Sequence, residues 1–502
     1  MFGLAAHRIC VAAYTACNSK AQRPVTEQPP PRQAVVTPSC ADTGRPVDAA
    51  GQLHRELSSF GVLLLTLSCL SPVFSIYGVG ADVLHQAGTG AASLFVFGIG
   101  VAIVWAVVYA ELGSAYPYAG GDYVGVGSIL GAWAGFASLT IWTATTGPIV
   151  ALLVKTIAVY VGVLAPTAPP VIISFASLAA AVTVALLAVR TSAIVTGIFL
   201  GIEMLAVFVL IGAGLCHPVR SLGSIIAHPL VIGASGILGS ATIGALALAG
   251  VSAAYATCGG NQAIAFGEEL AQPHRHMGRV VLLAGLIGAL ATAIPILAVV
   301  MGARNLPLIL QSPAPFSAFI ASAIAPAAAR ALSAGVALAL FNALIAQIMF
   351  SARLFFSLGR DEIFHRRVNA LLATVHGTSG APRAATLVVG VISGACCLLS
   401  AHLLIVFSSG LVVYTLALVC LAVLVGRTRR LTGQPGCWRS LLFPLAPILG
   451  LCLAFAFGVA DLLDADVGRP SILLLGAMIA AGLLWYHFVL SRRTGGWTPR
   501  LG

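Results

Sequence analysis

The feature that most constrains this chain is a succession of apolar segments, each long enough to cross about 30 Å of hydrocarbon, that begins at Leu57 and recurs as far as residue 490. Twelve are predicted, near residues 57–85, 91–114, 132–163, 171–189, 193–215, 237–270, 278–302, 328–357, 384–399, 403–426, 443–462 and 471–490. Hydrocarbon supplies no partner for a free backbone amide, so each segment is expected to be helical. Of the 502 residues 59% are hydrophobic and only 8% charged, against about a quarter charged in soluble domains. The predicted fold class is therefore an all-α membrane protein with twelve transmembrane helices, whose first partner is the lipid bilayer.

The net charge of +11 does not point to nucleic acid, because the basic residues sit in short clusters between apolar runs. With the amino terminus inside, Arg190, Arg275, Arg279, Arg360, Arg366, Arg367, Arg383, Arg427, Arg429, Arg430 and Arg439 all fall on the cytoplasmic side, and Arg492, Arg493 and Arg500 follow in the tail. The opposite loops hold Arg220, Arg304, Arg330 and Arg469 beside Asp461, Asp464 and Asp466, so both termini are expected in the cytoplasm of a multi-pass cell-membrane protein. Residues 1–55, with six prolines between Pro24 and Pro46, are expected to form a disordered cytoplasmic tail, and 491–502 a second, shorter one. The eleven cysteines, Cys69, Cys258, Cys420 and Cys452 among them, show no CxxC and no histidine at ligand spacing. They read as small apolar residues, and no metal or cofactor is expected.

Two segments carry candidate interruptions, read as broken helices, with a kinked packing helix as the alternative for the first. SPVFSIYGVG, Ser71 to Gly80, concentrates Pro72, Gly78 and Gly80 in the first, and AYATCGGN, Ala254 to Asn261, places paired glycines in the sixth. Interruptions five segments apart, in helices of opposite direction, are what a five-plus-five inverted repeat predicts. The chain would then divide into a first repeat (56–217), a second repeat (236–426) and two added helices (441–490). Gly127, Gly131 and Gly135, four residues apart, predict a helix face open to close packing rather than a phosphate loop, since no GxxxxGK accompanies them.

Four stretches in order resemble the amino acid-polyamine-organocation (APC) superfamily, specifically an amino-acid permease: YAELGSAYPYAGGDY (Tyr109–Tyr123), GEELAQP (Gly267–Pro273), SARLFFSLGRDEIF (Ser351–Phe364) and APRAAT (Ala381–Thr386). The resemblance covers roughly Leu57 to Leu490 and implies alternating access around a central site between broken helices one and six. The chain departs from the family pattern in three places. Phe74, Ser75, Ile76 and Tyr77 stand where members often have small residues, Gly260 and Asn261 follow the sixth-helix glycine in place of an aromatic and an acid, and Glu362 and His365 replace a glycine and a proline after helix eight.

At a break, amides that open the outer half-helix favour a carboxylate and carbonyls that end the inner half favour an ammonium, a polarity suited to a zwitterion. The substrate-binding candidates are Ser75, Ile76, Tyr77 and Gly78 at the first break, and Tyr255, Ala256, Thr257, Cys258 and Gly259 at the second. Tyr255 is either an aromatic gate, as the resemblance implies, or a packing residue. Trp142, Thr143 and Thr146 share about one helical turn and either face the pathway or, for the threonines, bond their own backbone.

A charge inside the bilayer costs on the order of 3 kcal/mol and calls for a partner or a cavity. Glu203 and Lys155 are the ion-coupling candidates, Glu203 for a proton and Lys155 with snorkelling as its alternative, while sodium remains open. Asp82 and His85 are placed in an outer vestibule. Glu111, Glu268 and Glu269 are expected near Arg353 and Arg360, as gating ion pairs or as solvated interface charges. Without HExxH or converging ligands an enzyme is not indicated. The sequence reads as a secondary active transporter for an amino acid or related amine, with a transport-inactive sensor or a polyamine transporter as the alternatives.

Overall fold

Once a helix in hydrocarbon has closed its own hydrogen bonds, it runs on until a proline, a glycine or a polar cap stops it, and the observed bounds follow that rule. The structure, a computed structural model, describes residues 58–118, 120–187, 193–232, 238–374 and 382–493, the side chains of 193–196 apart. The expected tail 1–55, Arg190, Ala381 and residues 494–502 lie outside the described residues.

Short connecting helices apart, the elements in chain order are α1 (Ser59–Leu70), one turn Pro72–Phe74 leading into a π-helical stretch Ser75–Gly80, α2 (Ala81–Ala87), α3 (Gly90–Ala115), α4 (Asp122–Leu130), α5 (Ala132–Leu164), α6 (Pro170–Leu186) and α7 (Ala193–Leu215). There follow β1 (Leu230–Ile232), β2 (Leu238–Ser240), α8 (Ile243–Thr257), a 3-10 stretch Gly260–Phe266, α9 (Pro273–Gly302), α10 (Pro326–Arg360), α11 (Arg383–Cys396), α12 (Ala401–Thr428), α13 (Leu445–Leu463) and α14 (Gly468–Trp485). Ser58, Thr242 and Ser400 cap α1, α8 and α12 through their hydroxyls. Proline opens α6, α9 and α10, where its missing N–H would have been unpaired in any case.

Ten of these spans are long and apolar enough to cross a membrane, counting Ser59–Ala87 and Ile243–Phe266 each as one. The expected fourth and ninth segments are the shorter apolar helices α6 and α11, of 17 and 14 residues. Large apolar side chains on α6, α7, α13 and α14, such as Ile172, Phe208, Phe455 and Leu473, point outward, as lipid-facing surface requires.

Three expectations need correction. The sixth segment begins at Ile243 rather than 237, because Leu238–Ser240 pairs with Leu230–Ile232 as a small antiparallel hairpin, so the fold is not purely helical. The hairpin clamps the turn after α2: the Thr89 amide donates to the Leu230 carbonyl and the Leu230 amide to the Thr89 hydroxyl, each at 2.8 Å. Gly127, Gly131 and Gly135 do not share a helix face. Gly131, at φ 105°, ends α4 and turns the chain into α5, and Gly127 and Gly135 then face each other so closely that a Cβ on Gly135 would lie 2.8 Å from the Gly127 Cα. Of the cysteines, Cys397 and Cys420 are buried, but Cys216 and Cys452 are exposed and Cys437 is disulfide-bonded.

α3 runs along α8 and α9, and α5 is held between α10 and α12. This arrangement leaves the two interrupted spans at the centre, each with one half toward the end of the bundle where α1 begins (the near side) and one toward the end where α2 finishes (the far side).

Candidate functional site

Both predicted interruptions are present, and their geometry differs from the expectation in detail. The first lies at Ser71, whose φ of 40° is strained for a residue with a side chain and is held because the Ser71 amide still reaches the Leu67 carbonyl and its hydroxyl accepts from the Phe74 amide. Gly78 and Gly80 do not unwind the chain. They lie in the π-helical stretch, where the absence of side chains lets Thr156 of α5 and Ile296 of α9 approach. At the second, α8 ends at Thr257, Cys258 is extended and Gly259 has φ 170°, an extended backbone open to any residue. What bars a side chain at Gly259 is Leu70, whose Cδ2 lies 2.4 Å from the place a Cβ would take, so the two breaks touch.

A cavity of about 110 Å³ opens between these breaks. Ser71, Phe74, Ser75 and Val79 line it from the first span, Tyr255, Cys258, Gly259 and Asn261 from the second, Trp105 from α3, Trp142 from α5, Gln347 and Phe350 from α10, and Leu411 from α12. None of its lining residues carries a formal charge.

Of the predicted binding residues the wall holds Ser75, Trp142, Tyr255, Ala256, Cys258 and Gly259. Ile76, Tyr77, Gly78, Thr146 and Thr257 are not on it. Tyr77 packs edge-on against Tyr160 and Phe316, at 5.1 and 5.2 Å between ring centroids, on the side of the span turned away from the cavity. Thr146 and Thr143 bond their own helix carbonyls, and the Thr257 hydroxyl is taken by the Gly98 carbonyl at 3.0 Å. The periodicity of a regular helix would have turned residues 75–78 differently; the π-helical widening and the break at Ser71 set the face.

Asn261, Trp105 and Gln347 were missed. Asn261 directly follows the break glycines Gly259 and Gly260, and Gln347 is an uncharged amide in the middle of an apolar segment, a weaker signal than a formal charge. Trp105 carried no signal. Its Nε1 donates to Asn261 Oδ1 at 3.2 Å, and its ring stacks on Tyr109 at 4.8 Å. Tyr109 in turn donates its hydroxyl to Asp122 Oδ2 at 2.8 Å, and the same oxygen accepts from Trp142 Nε1 at 3.1 Å. Burial holds the Asp122 carboxyl above its usual range, against the lowering effect of these two bonds and of the amides at the start of α4.

Glu203 of α7 is wholly buried and stands at the first break. Its carboxyl faces the Ser71 hydroxyl and the Val73 amide without closing a hydrogen bond of standard geometry. Lys155 is half-buried on α5 and does not line the cavity. The expected pairing of Glu111 with Arg353 or Arg360 is overturned, since Glu111 is bound by Arg427 of α12. Arg360, exposed, lies 3.6 Å from Asp361, Arg353 is exposed on α10, and Glu268 and Arg360 lie close enough to Tyr123 for their charges to act on its hydroxyl, so the near-side ends of α4, the α8–α9 connection and α10 converge. Glu269 is only half-exposed there. On the far side, Asp82 accepts from Gln86 and lies 3.1 Å from His402 Nδ1, while His85 Nε2 is 2.9 Å from the Ser312 carbonyl. No group of three or more His, Cys, Asp or Glu side chains converges as a metal site among the described residues.

A multi-pass bundle with a central cavity between two interrupted spans defines a membrane transporter rather than an enzyme. The chain belongs to the amino acid permease family, which it matches over residues 57–486. It is 32% identical over 167 residues to the human Asc-type amino acid transporter 1, a match that covers 30% of this chain and 32% of that relative. The similarity thus spans about a third of the relative's length. Its fold is similar to that of the Eremococcus coleocola manganese transporter, with a TM-score of 0.51 at 13% identity over 85% of this chain and 92% of that one.

Proposed function

We infer that the protein is a secondary active transporter that carries a zwitterionic amino acid with an uncharged side chain across the cell membrane by alternating access. The observation that carries this reading is the cavity between the Ser71 and Cys258–Gly259 breaks, whose wall holds amides, hydroxyls and aromatic rings and no formal charge. A polyamine or a cationic side chain would need a carboxylate there, which disfavours the polyamine alternative. Ser71, Ser75, Tyr255, Cys258, Gly259 and Asn261 are the proposed substrate contacts, in part through backbone groups at the helix ends.

On this reading α6 and α11 complete twelve crossings, the first and second five form an inverted repeat, and both termini are cytoplasmic, so the near side is the cytoplasmic side. Glu203 is the proposed coupling site: a buried carboxyl that faces the break at Ser71 is placed to bind a proton in one state of the cycle and lose it in another. Lys155, half-buried and away from the cavity, is the weaker coupling candidate. Arg353, Arg360, Glu268 and Glu269 are proposed to gate the cytoplasmic side.

The test is counterflow of labelled amino acids in proteoliposomes with imposed pH or sodium gradients. Saturable flux of neutral amino acids, competed by each other and not by amines without a carboxylate, is expected. Binding without flux would instead assign a sensor, and competition by carboxylate-free amines alone would sink the zwitterion reading.

A further inference from the structure

We propose that Asp122, which does not itself line the cavity, is a positioning residue that sets the side-chain selectivity of the site by holding the indole of Trp142 directly and that of Trp105 through Tyr109. The inference rests on the cavity being the substrate site. A single carboxylate oxygen, Oδ2, accepts from Trp142 Nε1 at 3.1 Å and from the Tyr109 hydroxyl at 2.8 Å. Tyr109 lies stacked on Trp105, at 4.8 Å and 29° between the ring planes, and the Trp105 Nε1 is committed to Asn261 Oδ1. Trp142, Trp105 and Asn261 all line the cavity. One buried group outside the site therefore fixes two aromatic walls, from α3 and α5, and through Trp105 the amide at the second break.

The chemistry suits that task. Two hydrogen bonds on one oxygen, from donors on α3 and α5, leave each ring little rotational freedom. Tyr109 is inaccessible and Asp122 nearly so, and removal of the carboxylate takes from the buried Tyr109 hydroxyl the acceptor that holds it. Trp142 is then free to turn about its side-chain torsions, and the cavity loses a fixed width. A pocket that has lost its width discriminates less between small and large apolar side chains.

The experiment compares KM and Vmax for glycine, alanine, leucine and phenylalanine in proteoliposomes that carry wild type, Asp122→Ala, Asp122→Asn, Tyr109→Phe or Trp142→Phe. Asp122→Ala is expected to change the ratio of kcat/KM between alanine and phenylalanine by about tenfold, the scale on which apolar pockets separate side chains. Trp142→Phe is expected to shift it in the same direction, and the two changes together no further than either alone. Asp122→Asn, which keeps an acceptor oxygen, should move the ratio less. If Asp122→Ala does not fold, Asp122→Asn and Trp142→Phe carry the comparison. A fall in Vmax with every substrate ratio unchanged would overturn the proposal in favour of a structural role. Absence of transport and of binding of all four amino acids by wild type would instead defeat the transport reading on which it rests.

Discussion

Glu111 and Arg427 form a two-pronged ion pair between α3 and α12, with Nε to Oε1 at 2.6 Å and Nη2 to Oε2 at 2.8 Å. The Glu111 carboxylate has no exposure and accepts further bonds from the Thr432 hydroxyl and the Ser440 amide, while the guanidinium also bonds the Ser440 carbonyl and lies over the Phe443 ring. Each Glu111 oxygen accepts two hydrogen bonds, so the contact ties the start of the α12–α13 connection to the end of α3.

Removal of one partner leaves the other charged, buried and unpaired, at a cost of about 3–5 kcal/mol. Arg427→Ala and Glu111→Ala should therefore each lower the melting temperature in detergent sharply. Arg427→Lys, which offers a point charge rather than a planar fork, should retain only part of the stability. A melting curve for Arg427→Ala that overlays wild type would show the pair to be dispensable.

Much of this fold was legible in the sequence, because hydrocarbon forces helices and the apolar runs mark where they lie: α3, α5 and α12 begin and end within two residues of the predicted segments. The two breaks were legible through their correspondence five segments apart rather than through Pro72 or the Gly259–Gly260 pair alone, since Pro148 and Pro295 lie inside unbroken spans. The direction in which side chains point beside a break was not. It depends on the Ser71 backbone angle and on π and 3-10 windings that no regular periodicity encodes, which is why Ile76 and Tyr77 were expected at the site and Asn261 and Trp105 were not. Ion-pair partners were equally hidden, since Arg427 is 316 residues from Glu111 and tertiary packing alone brings them together.

Glu203→Gln keeps the shape of the side chain and removes its titration. If the carboxyl at the Ser71 break carries the coupling proton, the variant should lose uptake driven by an inward pH gradient while retaining exchange of internal for external amino acid. Proton co-flux, followed with a trapped pH dye during substrate addition, checks this. Uptake by Glu203→Gln that still follows the pH gradient would move the coupling site elsewhere.

The contact between breaks gives a test of their coupling. Gly259→Ala would drive a Cβ into Leu70 Cδ2 and Cγ, at 2.4 and 2.8 Å, so Leu70, which also borders the cavity, must shift to admit it. Overpacking of this kind costs about 1–3 kcal/mol. Uptake should fall in Gly259→Ala and return in large part in Gly259→Ala with Leu70→Ala. Simple addition of the two single effects would mean that the breaks do not act on each other.

On the far side, Asp82 of α2 meets His402 at the start of α12, with the Gln86 amide donating to Asp82 beside the ring and Asp464 close enough for its charge to act on the imidazole. The contact is about a third exposed on the His402 side, so it is worth about 1 kcal/mol; on the orientation proposed above, with the far side external and this contact closing it, that is roughly a fivefold change in the population of the closed state. Protonation of His402 converts a hydrogen bond between a neutral ring and a carboxylate into an ion pair, so closure should tighten as the external pH falls and loosen as it rises. Val79, buried on the cavity wall, reports the change. In a cysteine-depleted background, Val79→Cys should react severalfold faster with a membrane-impermeant thiol reagent added outside when Asp82→Asn or His402→Ala is present, and the pH dependence of that rate should fall in both to that of the thiol's own ionisation. Equal labelling rates with and without the second substitution would place the outer closure in the Tyr77–Tyr160–Phe316 cluster instead, where no titratable imidazole takes part.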